Sequence, residues 1–498
     1  MPIDSQILRN ARIYEKEKEK TIPPEARPAF HLSARVGWMN DPNGFSLYNG
    51  KYHIFYQYHP YDSHWGPMHW GHAVSEDLLQ WQYLPVAMAP DKPYDRDGCF
   101  SGNALTLPDG RHMLVYTGVV TELSPDGNVT ELQIQNLAFG DGLFYTKYTG
   151  NPILTERDLP EGGNRSAFRD PKPWQKADGT YRMLLANDHI GHGGQMLLYR
   201  SDDAIHWSFV KTLVENNFRL GLMWECPDFF ELDGKQVLLA SAQDMLPKGF
   251  EYHNGNGTFC MIGTWDDETE TFTEEFDQAV DYGLDFYAPQ TVLSPDGRRI
   301  MIGWMQNWDH CNLHTPDIPW FGQMSLPREL SIKNGRLYQA PVREIEAHRR
   351  HKAVHRDVYV SGRELRLDGV EGRLVDLEVD VRPADPSHMY EQFGIHFAKN
   401  DDFHTEVSYR PHESTLKIDR KFSGSRRALS HQRRAVFEPN GGRLKLRLIL
   451  DRFSAEIFVN DGEKVLATTI TTPVDAHDIT FFADGDAVIN VTHYQLEF

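Results

Sequence analysis

Short apolar runs that follow an Asn-Gly or Asp-Gly pair recur five times in the first two thirds of the chain. Such a pair before an apolar run is typical of a β-hairpin, because the glycine adopts the positive φ of a tight turn and the run suits a buried strand. The intervals of 60, 69, 55 and 63 residues leave room for a four-stranded sheet in each unit. The hairpin glycines are Gly50, Gly110, Gly179, Gly234 and Gly297. The pattern predicts a five-bladed β-propeller, with a β-sandwich of ordinary hairpins as the alternative.

Two similar segments support the repeat. SEDLLQW begins at Ser75 and SDDAIHW begins at Ser201, 25 and 22 residues after the hairpin glycine of their own unit. Segments at nearly the same distance from their hairpins are expected at equivalent positions of a repeated unit. We therefore expect both to lie at equivalent positions of two different blades.

Beyond Val342 the long repeat gives way to shorter strands in which apolar and polar positions alternate. In the segment LKLRLILD, every second residue from Leu444 to Leu450 is a leucine, and this alternation buries one face of a strand. Several such strands predict a β-sandwich appended to the propeller. The fold class is thus all-β, a five-bladed β-propeller followed by a C-terminal β-sandwich.

The change of pattern sets the expected domain boundaries. An N-terminal extension packed on the body covers 1–30, the propeller covers 31–345, and the sandwich covers 353–498. Val342–Arg350 is the expected link between the two large units. Because no Ser/Gly-rich linker separates them, we expect a rigid interface.

Charge and cysteine usage narrow the class of partner. The chain has 51 Lys and Arg against 71 Asp and Glu, a net charge of −20, which disfavours nucleic acid and anionic membrane surfaces. Its four cysteines form no CxxC pair, so neither a disulfide framework nor a thiolate metal site is indicated. The first residues lack the apolar stretch of a secretory signal, and no transmembrane-length apolar run follows. We therefore expect a cytoplasmic protein.

Counting nine residues back from each hairpin glycine gives equivalent positions in the five units. These positions are Asp41, Ser101, Asp170, Glu225 and Ala288. In a propeller they lie at the same radius and height, so they should ring one mouth of the central channel. Three of the five are carboxylates, and like charges that converge in a funnel are rarely kept without a function. Coincidence among the 71 acidic residues is the alternative.

Converging carboxylates are the minimal machinery for cleaving a glycosidic bond. One carboxylate attacks or stabilises the anomeric centre, another protonates the leaving oxygen, and a third can bind sugar hydroxyls. Clustered carboxylates also bind Ca²⁺ or Mg²⁺, but these acids lie more than fifty residues apart and Asp170 has basic neighbours. The stretch HWGPMHWGH, with His64, His69 and His72, does not have the spacing of a helical ligand pair. We therefore expect no metal and no cofactor.

Three motifs make a family resemblance visible. WMNDPNG, FRDPK and ECPD, in this order and spacing, resemble the signature motifs of glycoside hydrolase family 32, the invertase, sucrose-6-phosphate hydrolase and fructanase group. The resemblance runs from about His31 to the C-terminus and implies a five-bladed propeller with a β-sandwich. It implies that Asp41 is the nucleophile, Glu225 the general acid/base and Asp170 the transition-state stabiliser. The two carboxyl groups of a retaining enzyme are about 5–5.5 Å apart.

The resemblance also implies a fructose-binding pocket. Four residues are expected to hydrogen-bond sugar hydroxyls and four aromatic residues to pack on the sugar ring. The first set is Asn40, Gln57, Ser101 and Arg169, and the second is Trp65, Phe100, Tyr287 and Trp304. For any single aromatic, packing within a blade is the alternative. Asn103 departs from the family pattern, in which many relatives carry Ser.

Local sequence also predicts how the acids are surrounded. Trp224 and the two phenylalanines after the ECPD motif predict an apolar setting that keeps Glu225 protonated. Asn40 and Asn43 are expected to donate hydrogen bonds to Asp41. In the sandwich, Glu456 and Asp461 are interpreted as surface acids, and that domain as a packing or dimer-contact module.

The resulting hypothesis is a retaining β-fructofuranosidase that releases fructose from sucrose, sucrose-6-phosphate or short fructo-oligosaccharides. A fructosyltransferase is the nearest alternative, because transfer and hydrolysis share all three acids. A non-catalytic sugar-binding propeller is the distant alternative. The expected partner is a small sugar, with neither nucleic acid nor membrane involved, and a homodimer is left open.

Overall fold

The computed structural model describes residues 4–123, 127–309, 311, 318–362, 364–424 and 428–498. In these residues the chain forms one α-helix, and its strands assemble into seven sheets. The helix is α1 (Gln6–Glu19). Short 3₁₀ turns lie at Pro24–Ala26, Glu156–Asp158, Arg165–Ala167 and Arg343–His348.

Five of the sheets follow one another along the first part of the chain as the blades of a propeller. Their strands are β1 (Gly37–Tyr48), β2 (Lys51–His59), β3 (His69–Ser75), β4 (Gln82–Met88), β5 (Gly98–Thr106), β6 (His112–Leu123), β7 (Val129–Gly140), β8 (Tyr145–Lys147), β9 (Arg169–Gln175), β10 (Tyr181–His189), β11 (Gly193–Ser201), β12 (Ser208–Glu215), β13 (Trp224–Leu232), β14 (Lys235–Met245), β15 (Gly255–Asp266), β16 (Thr271–Ala279), β17 (Tyr287–Leu293), β18 (Arg299–Trp304), β19 (Trp320–Phe321), β20 (Arg328–Lys333) and β21 (Arg336–Pro341). The blades are β1–β4, β5–β8, β9–β12, β13–β16, and β17, β18, β20 and β21.

The five predicted hairpins are confirmed. Each of the five glycines lies in the turn between the first and second strand of its blade, with φ between 77° and 88°. Strand β19 leaves the fifth blade and pairs in parallel with β1, so that Gly37 lies opposite Trp320 and Trp38 opposite Phe321. This pairing links the last blade to the first and closes the propeller.

The two similar segments lie at equivalent positions of blades one and three, as the sequence predicts, and they form the same turn there. Asp77 and Asp203 each accept a hydrogen bond from the serine two residues earlier, at 3.0 and 3.1 Å. The same carboxylates accept from backbone N–H groups of the turn. An aspartate that satisfies its own turn in this way explains why the segment recurs.

The last two sheets form a β-sandwich. One sheet contains β22 (Arg349–Ser361), β32 (Asp486–Leu496), β23 (Val375–Pro383), β28 (Leu444–Asp451), β29 (Ser454–Val459) and β30 (Lys464–Thr469), in this order. The other contains β27 (Gln432–Val436), β26 (Thr415–Asp419), β25 (Thr405–Arg410), β24 (Gln392–Lys399) and β31 (Asp478–Asp484). The leucines from Leu444 to Leu450 are buried in the sandwich core as predicted, and Lys445 is exposed. Ile449 is also buried, because it packs in the cluster that contains first-blade residues.

A buried ionic network joins the propeller to the sandwich. Glu456 was expected on the surface, but its side chain is fully buried and contacts Arg328 at 2.6 Å. Its other oxygen lies 3.1 Å from His31, whose second ring nitrogen lies 2.8 Å from Asp451. The surface interpretation of Glu456 is therefore wrong, because its strand faces the propeller. Asp461, in the turn after the same strand, is exposed as expected.

Helix α1 lies against the first blade. Glu15 is buried on its inner side, where it accepts from the Val86 backbone N–H at 3.1 Å and contacts Arg35 at 3.0 Å. Burial is the main reason that the pKa of Glu15 rises to about 7. Among the residues described, no helix has the length and apolar character that a membrane span requires.

Candidate active site

In every blade, the pairing between the first and second strands is interrupted at a place where the first strand has one more residue than the second. The irregular pairing spans Met39–Pro42, Phe100–Gly102, Arg169–Lys172, Glu225–Asp228 and Tyr287–Gln290. Such β-bulges break the alternation of side chains and turn one of them to a new direction. All five positions counted back from the hairpin glycines lie in or at the edge of these bulges.

The bulges of the last three blades use an unusual backbone conformation. Asp170, Cys226 and Ala288 have φ values of 62°, 51° and 51°. Residues other than glycine seldom adopt positive φ, and such backbone strain is concentrated at functional sites. The bulge of the second blade needs glycine for a different reason, because a Cβ atom on Gly102 would lie 2.0 Å from the Val115 carbonyl oxygen.

In the first, second and fourth blades, the side chain seven residues after the hairpin glycine connects its blade to the next one. Gln57 Nε2 donates to the Cys99 carbonyl oxygen at 3.0 Å, Thr117 Oγ1 accepts from Asp170 N–H at 3.0 Å, and Ser241 Oγ accepts from Ala288 N–H at 2.8 Å. Each bond ends at or next to the bulge of the following blade. These bonds fix the backbone that carries the acids.

Asp41, Asp170 and Glu225 line one cavity of about 400 Å³. They come from β1, β9 and β13, which are the first strands of three different blades. The other lining residues are Asn40, Gln57, Trp65, Phe100, Ser101, Glu131, Gln133, Ser166, Arg169, Gln243 and Trp308. The structure therefore brings the three acids together although they are far apart in sequence.

The two oxygens of Asp41 have different surroundings. Oδ2 accepts from the Ser101 hydroxyl at 2.8 Å and lies 3.4 Å from the Cys226 thiol. Among the described residues, Oδ1 has no hydrogen-bond partner. Burial first, and then the charge of Glu225, raise the pKa of Asp41, while the polar groups of Ser101, Asn40 and Cys226 partly counteract the rise. The expected donation from Asn43 is not found: its Nδ2 has no hydrogen-bond partner among the described residues, and its Oδ1 accepts from Gly102 N–H at 3.3 Å.

Asp170 is buried between two neighbouring blades. Its Oδ2 accepts from the Cys226 backbone N–H at 2.8 Å. Burial raises the pKa of Asp170 to about 7, with a further rise from Glu225 and a partial reduction from Arg169. Burial and the neighbouring carboxylates both disfavour the charged form of Asp170.

Glu225 has a polar setting rather than the predicted apolar one. Arg169 donates to its Oε1 from Nη2 at 2.8 Å and from Nε at 3.2 Å, and the Tyr287 hydroxyl donates to its Oε2 at 2.6 Å. The apolar prediction is wrong because successive side chains of a strand point to opposite faces. Trp224 and Phe229 accordingly pack in a hydrophobic cluster with residues of the sandwich.

Six of the eight expected sugar-binding residues line the cavity, namely Asn40, Gln57, Trp65, Phe100, Ser101 and Arg169. Trp65 is 44% exposed and meets the edge of Phe100 at 6.1 Å between ring centroids. Tyr287 and Trp304 do not line it, because both are fully buried behind its wall. The prediction that their rings face the sugar is therefore not supported. Trp304 packs against Trp308, which reaches the cavity in its place.

The sequence analysis missed five lining residues, namely Glu131, Gln133, Ser166, Gln243 and Trp308. Glu131 and Gln133 belong to β7, the third strand of the second blade, which contains none of the signature motifs and none of the five hairpin glycines. Thr117 and Ser241 were also missed, although they share the spacing of Gln57 from a hairpin glycine. That spacing is the signal that identifies the connections between blades.

Potential metal ligands cluster elsewhere. In the part of the chain that the structure describes, the groups close enough to share an ion are His396, His404 and Glu406, and Glu371, His477 and Asp478. Both groups belong to the sandwich. His69 and His72 from HWGPMHWGH are instead packed within the propeller, and burial lowers the pKa of His69 to about 4, whereas His64 is partly exposed and lies 2.8 Å from Asp62.

An all-β propeller whose cavity holds three converging carboxylates is the arrangement of a glycoside hydrolase. Comparison with known families supports this class. The model of the glycosyl hydrolases family 32 N-terminal domain matches residues 31–341, and that of the family 32 C-terminal domain matches residues 344–496. The chain belongs to glycoside hydrolase family 32 and is a glycoside hydrolase.

Individual relatives agree with this assignment. The chain is 37% identical to a sucrose-6-phosphate hydrolase and 38% identical to a raffinose invertase, both from Escherichia coli, and each match covers 93% of both chains. A structure of a Bombyx mori GH32 β-fructofuranosidase mutant in complex with sucrose matches with a TM-score of 0.84 and 34% identity, over 99% of each chain. Similarity therefore extends over the propeller and the sandwich together.

Proposed function

We propose that the protein is a retaining β-fructofuranosidase that hydrolyses sucrose or a sucrose derivative and releases fructose. The observation that carries the proposal is the meeting of Asp41, Asp170 and Glu225 in one cavity, each with different hydrogen-bond partners. The relatives named for sucrose-6-phosphate and raffinose, and the neighbour with bound sucrose, support the substrate class.

Asp41 is the proposed nucleophile. The Ser101 hydroxyl and the Cys226 thiol occupy Oδ2, which leaves Oδ1 for the sugar. Oδ1 attacks C2 of the fructosyl unit, the bond from C2 to the glycosidic oxygen breaks, and a fructosyl ester forms on Asp41. Burial raises the pKa of the Cys226 thiol well above its usual range, so Cys226 stays protonated as a donor.

Glu225 is the proposed general acid. Three carboxylates in one buried cavity repel one another, and this repulsion favours a cluster that holds one proton. In the first step Glu225 gives this proton to the glycosidic oxygen as the bond breaks. Arg169 and the Tyr287 hydroxyl orient its carboxyl group.

Asp170 is proposed to hold the fructosyl unit in the transition state. The Cys226 N–H fixes its Oδ2, and the carboxyl accepts sugar hydroxyls that bind more strongly as positive charge develops at C2. Asn40 and Gln57 offer further polar groups on the same wall, and Trp65 and Phe100 offer ring faces.

Water completes the reaction. After the leaving group departs, Glu225 removes a proton from a water molecule, whose oxygen attacks C2. The ester bond to Asp41 breaks, the Asp41 carboxylate is restored, and fructose leaves with its original anomeric configuration. Two successive displacements at C2 account for this retention.

Isosteric replacement of the two acids tests the assignment. Glu225→Gln removes the transferable proton and is expected to lower kcat for sucrose by about 10² to 10⁴. Asp41→Asn is expected to lower it further, because no ester can form. Asp109→Asn removes one charge at the exposed hairpin turn of the second blade and serves as the control. An Asp41→Asn enzyme that hydrolyses sucrose at the parent rate would rule out the proposed nucleophile.

Two further properties stay predictions. A homodimer is tested by light scattering on the purified protein, and a cytoplasmic location is tested by cell fractionation.

A further inference from the structure

Acidic side chains outnumber basic ones on the wall of the active-site cavity. The described residues that line it include four carboxylates and one cation, Arg169. Three of the carboxylates belong to the proposed catalytic set. The fourth, Glu131, lies on the cavity wall but has no part in the reaction steps proposed above.

Glu131 lies near the start of β7, opposite Thr121 of β6. It is two residues before Gln133, so both side chains point to the same face of the strand. Gln133 Nε2 donates to Glu131 Oε2 at 3.3 Å, and Arg169 Nη1 donates to Gln133 Oε1 at 3.3 Å. A continuous wall thus runs from Glu225 through Arg169 and Gln133 to Glu131. Because Glu225 is the proposed acid for the leaving oxygen, this wall faces the leaving group.

The two arginines described at this wall, Arg169 and Arg165, are already paired with protein carboxylates. The Arg169 guanidinium donates to Glu225 and Gln133, as described above. Arg165 precedes the lining residue Ser166, but its Nη2 lies 2.8 Å from Glu122. A phosphate group at the leaving-group side would therefore have to displace an acidic partner while it faces Glu131.

We propose that Glu131 makes the leaving-group side selective for an uncharged sugar and excludes a phosphorylated one. The inference rests on the proposed function. A phosphomonoester carries close to two negative charges near neutral pH, and placing it beside carboxylates is unfavourable where both described arginines are already paired. An uncharged sugar requires only hydrogen bonds, which Gln133, Ser166 and Gln243 can supply.

The E. coli relatives do not decide between a phosphorylated and an uncharged substrate, because the sucrose-6-phosphate hydrolase is 37% identical to this chain and the raffinose invertase is 38% identical. Sucrose-6-phosphate and raffinose carry their additional group on the same oxygen of the glucosyl unit. One group is a charged phosphate and the other is a neutral galactosyl unit. Comparing them therefore separates the effect of charge from the effect of size.

The test measures kcat/KM for sucrose, raffinose and sucrose-6-phosphate with the wild-type enzyme and with Glu131→Gln. For the wild type we expect kcat/KM to be at least tenfold higher for sucrose than for sucrose-6-phosphate. Glu131→Gln is expected to raise the ratio of kcat/KM for sucrose-6-phosphate to kcat/KM for sucrose at least threefold. The corresponding ratio for raffinose to sucrose is expected to change much less. Asp109→Asn removes the same charge at an exposed turn of the same blade and is expected to leave all ratios unchanged.

A second measurement needs no variant. Raising the salt concentration screens repulsion, so the wild-type ratio of sucrose-6-phosphate to sucrose should rise with ionic strength. Equal or preferred use of sucrose-6-phosphate by the wild type would overturn the inference and leave the proposed function intact. An unchanged ratio in Glu131→Gln would do the same. Failure to hydrolyse sucrose, raffinose and sucrose-6-phosphate would overturn the proposed function and the inference together.

Discussion

Asp41 and Glu225 are both carboxylates, yet the protein surrounds them with different donors. A hydroxyl and a thiol hold one oxygen of Asp41 and leave the other without a partner among the described residues. A guanidinium and a phenol hold Glu225 at both oxygens. Hydrogen bonding thus suits Asp41 for attack from a fixed direction and Glu225 for proton transfer at a fixed position.

At this scale the sequence identified residue types better than their surroundings. The three acids were predicted because each stands nine residues before a hairpin glycine. In a propeller, equivalent positions of different blades lie close together around the central channel. Tyr287 was assigned to the sugar ring because it is aromatic, but it acts through its hydroxyl, since its ring is buried. Glu131 has no distinctive spacing, so only the paired strands β6 and β7 place it at the cavity.

At the scale of the element, the bulged first strand is the feature that makes the site. It turns the acids out of the regular alternation, and side chains from the preceding blade hold it in place. The five hairpins were predictable because turns need glycine at positive φ. The bulges were not predictable, because Asp170 and Cys226 adopt positive φ although neither is a glycine that would mark the position in the sequence.

Thr117→Val tests whether these connections between blades matter. Valine has nearly the same shape but cannot accept from the buried Asp170 N–H, so we expect a loss of about 1–3 kcal/mol in the free energy of unfolding. A fall in kcat should accompany it, because Asp170 is no longer fixed. Urea unfolding and sucrose kinetics measure both effects. Thr106→Val, at the exposed end of β5, is the control, and equal stability of the two variants would contradict the account.

At the scale of the whole molecule, the propeller and the sandwich share a buried charged interface. Burial alone would lower the pKa of His31, but its hydrogen bonds to Asp451 and Glu456 outweigh this effect and raise the pKa to about 9. The rigid interface was expected from the missing linker. Its charges were not predictable, because they combine residues more than four hundred positions apart.

The stability of the protein should therefore depend on pH through His31. A histidine has a pKa of about 6.5 in the unfolded chain, so the stabilisation is complete below that pH and is lost as the pH rises through about 9. We expect the wild type to lose about 3 kcal/mol over this range relative to His31→Gln. Urea unfolding of both proteins at several pH values measures the difference. Parallel pH profiles would show that His31 is not charged in the folded protein.

The central claim is that a carboxylate of the propeller forms an ester with the fructosyl unit. Sucrose cleavage in the presence of methanol tests it most directly, because methanol intercepts the ester and gives a methyl fructofuranoside that does not interconvert in solution. Because two displacements at C2 retain the β configuration, we expect the methyl β-fructofuranoside in the nuclear magnetic resonance spectrum of the first products. The α anomer as the first product would contradict it.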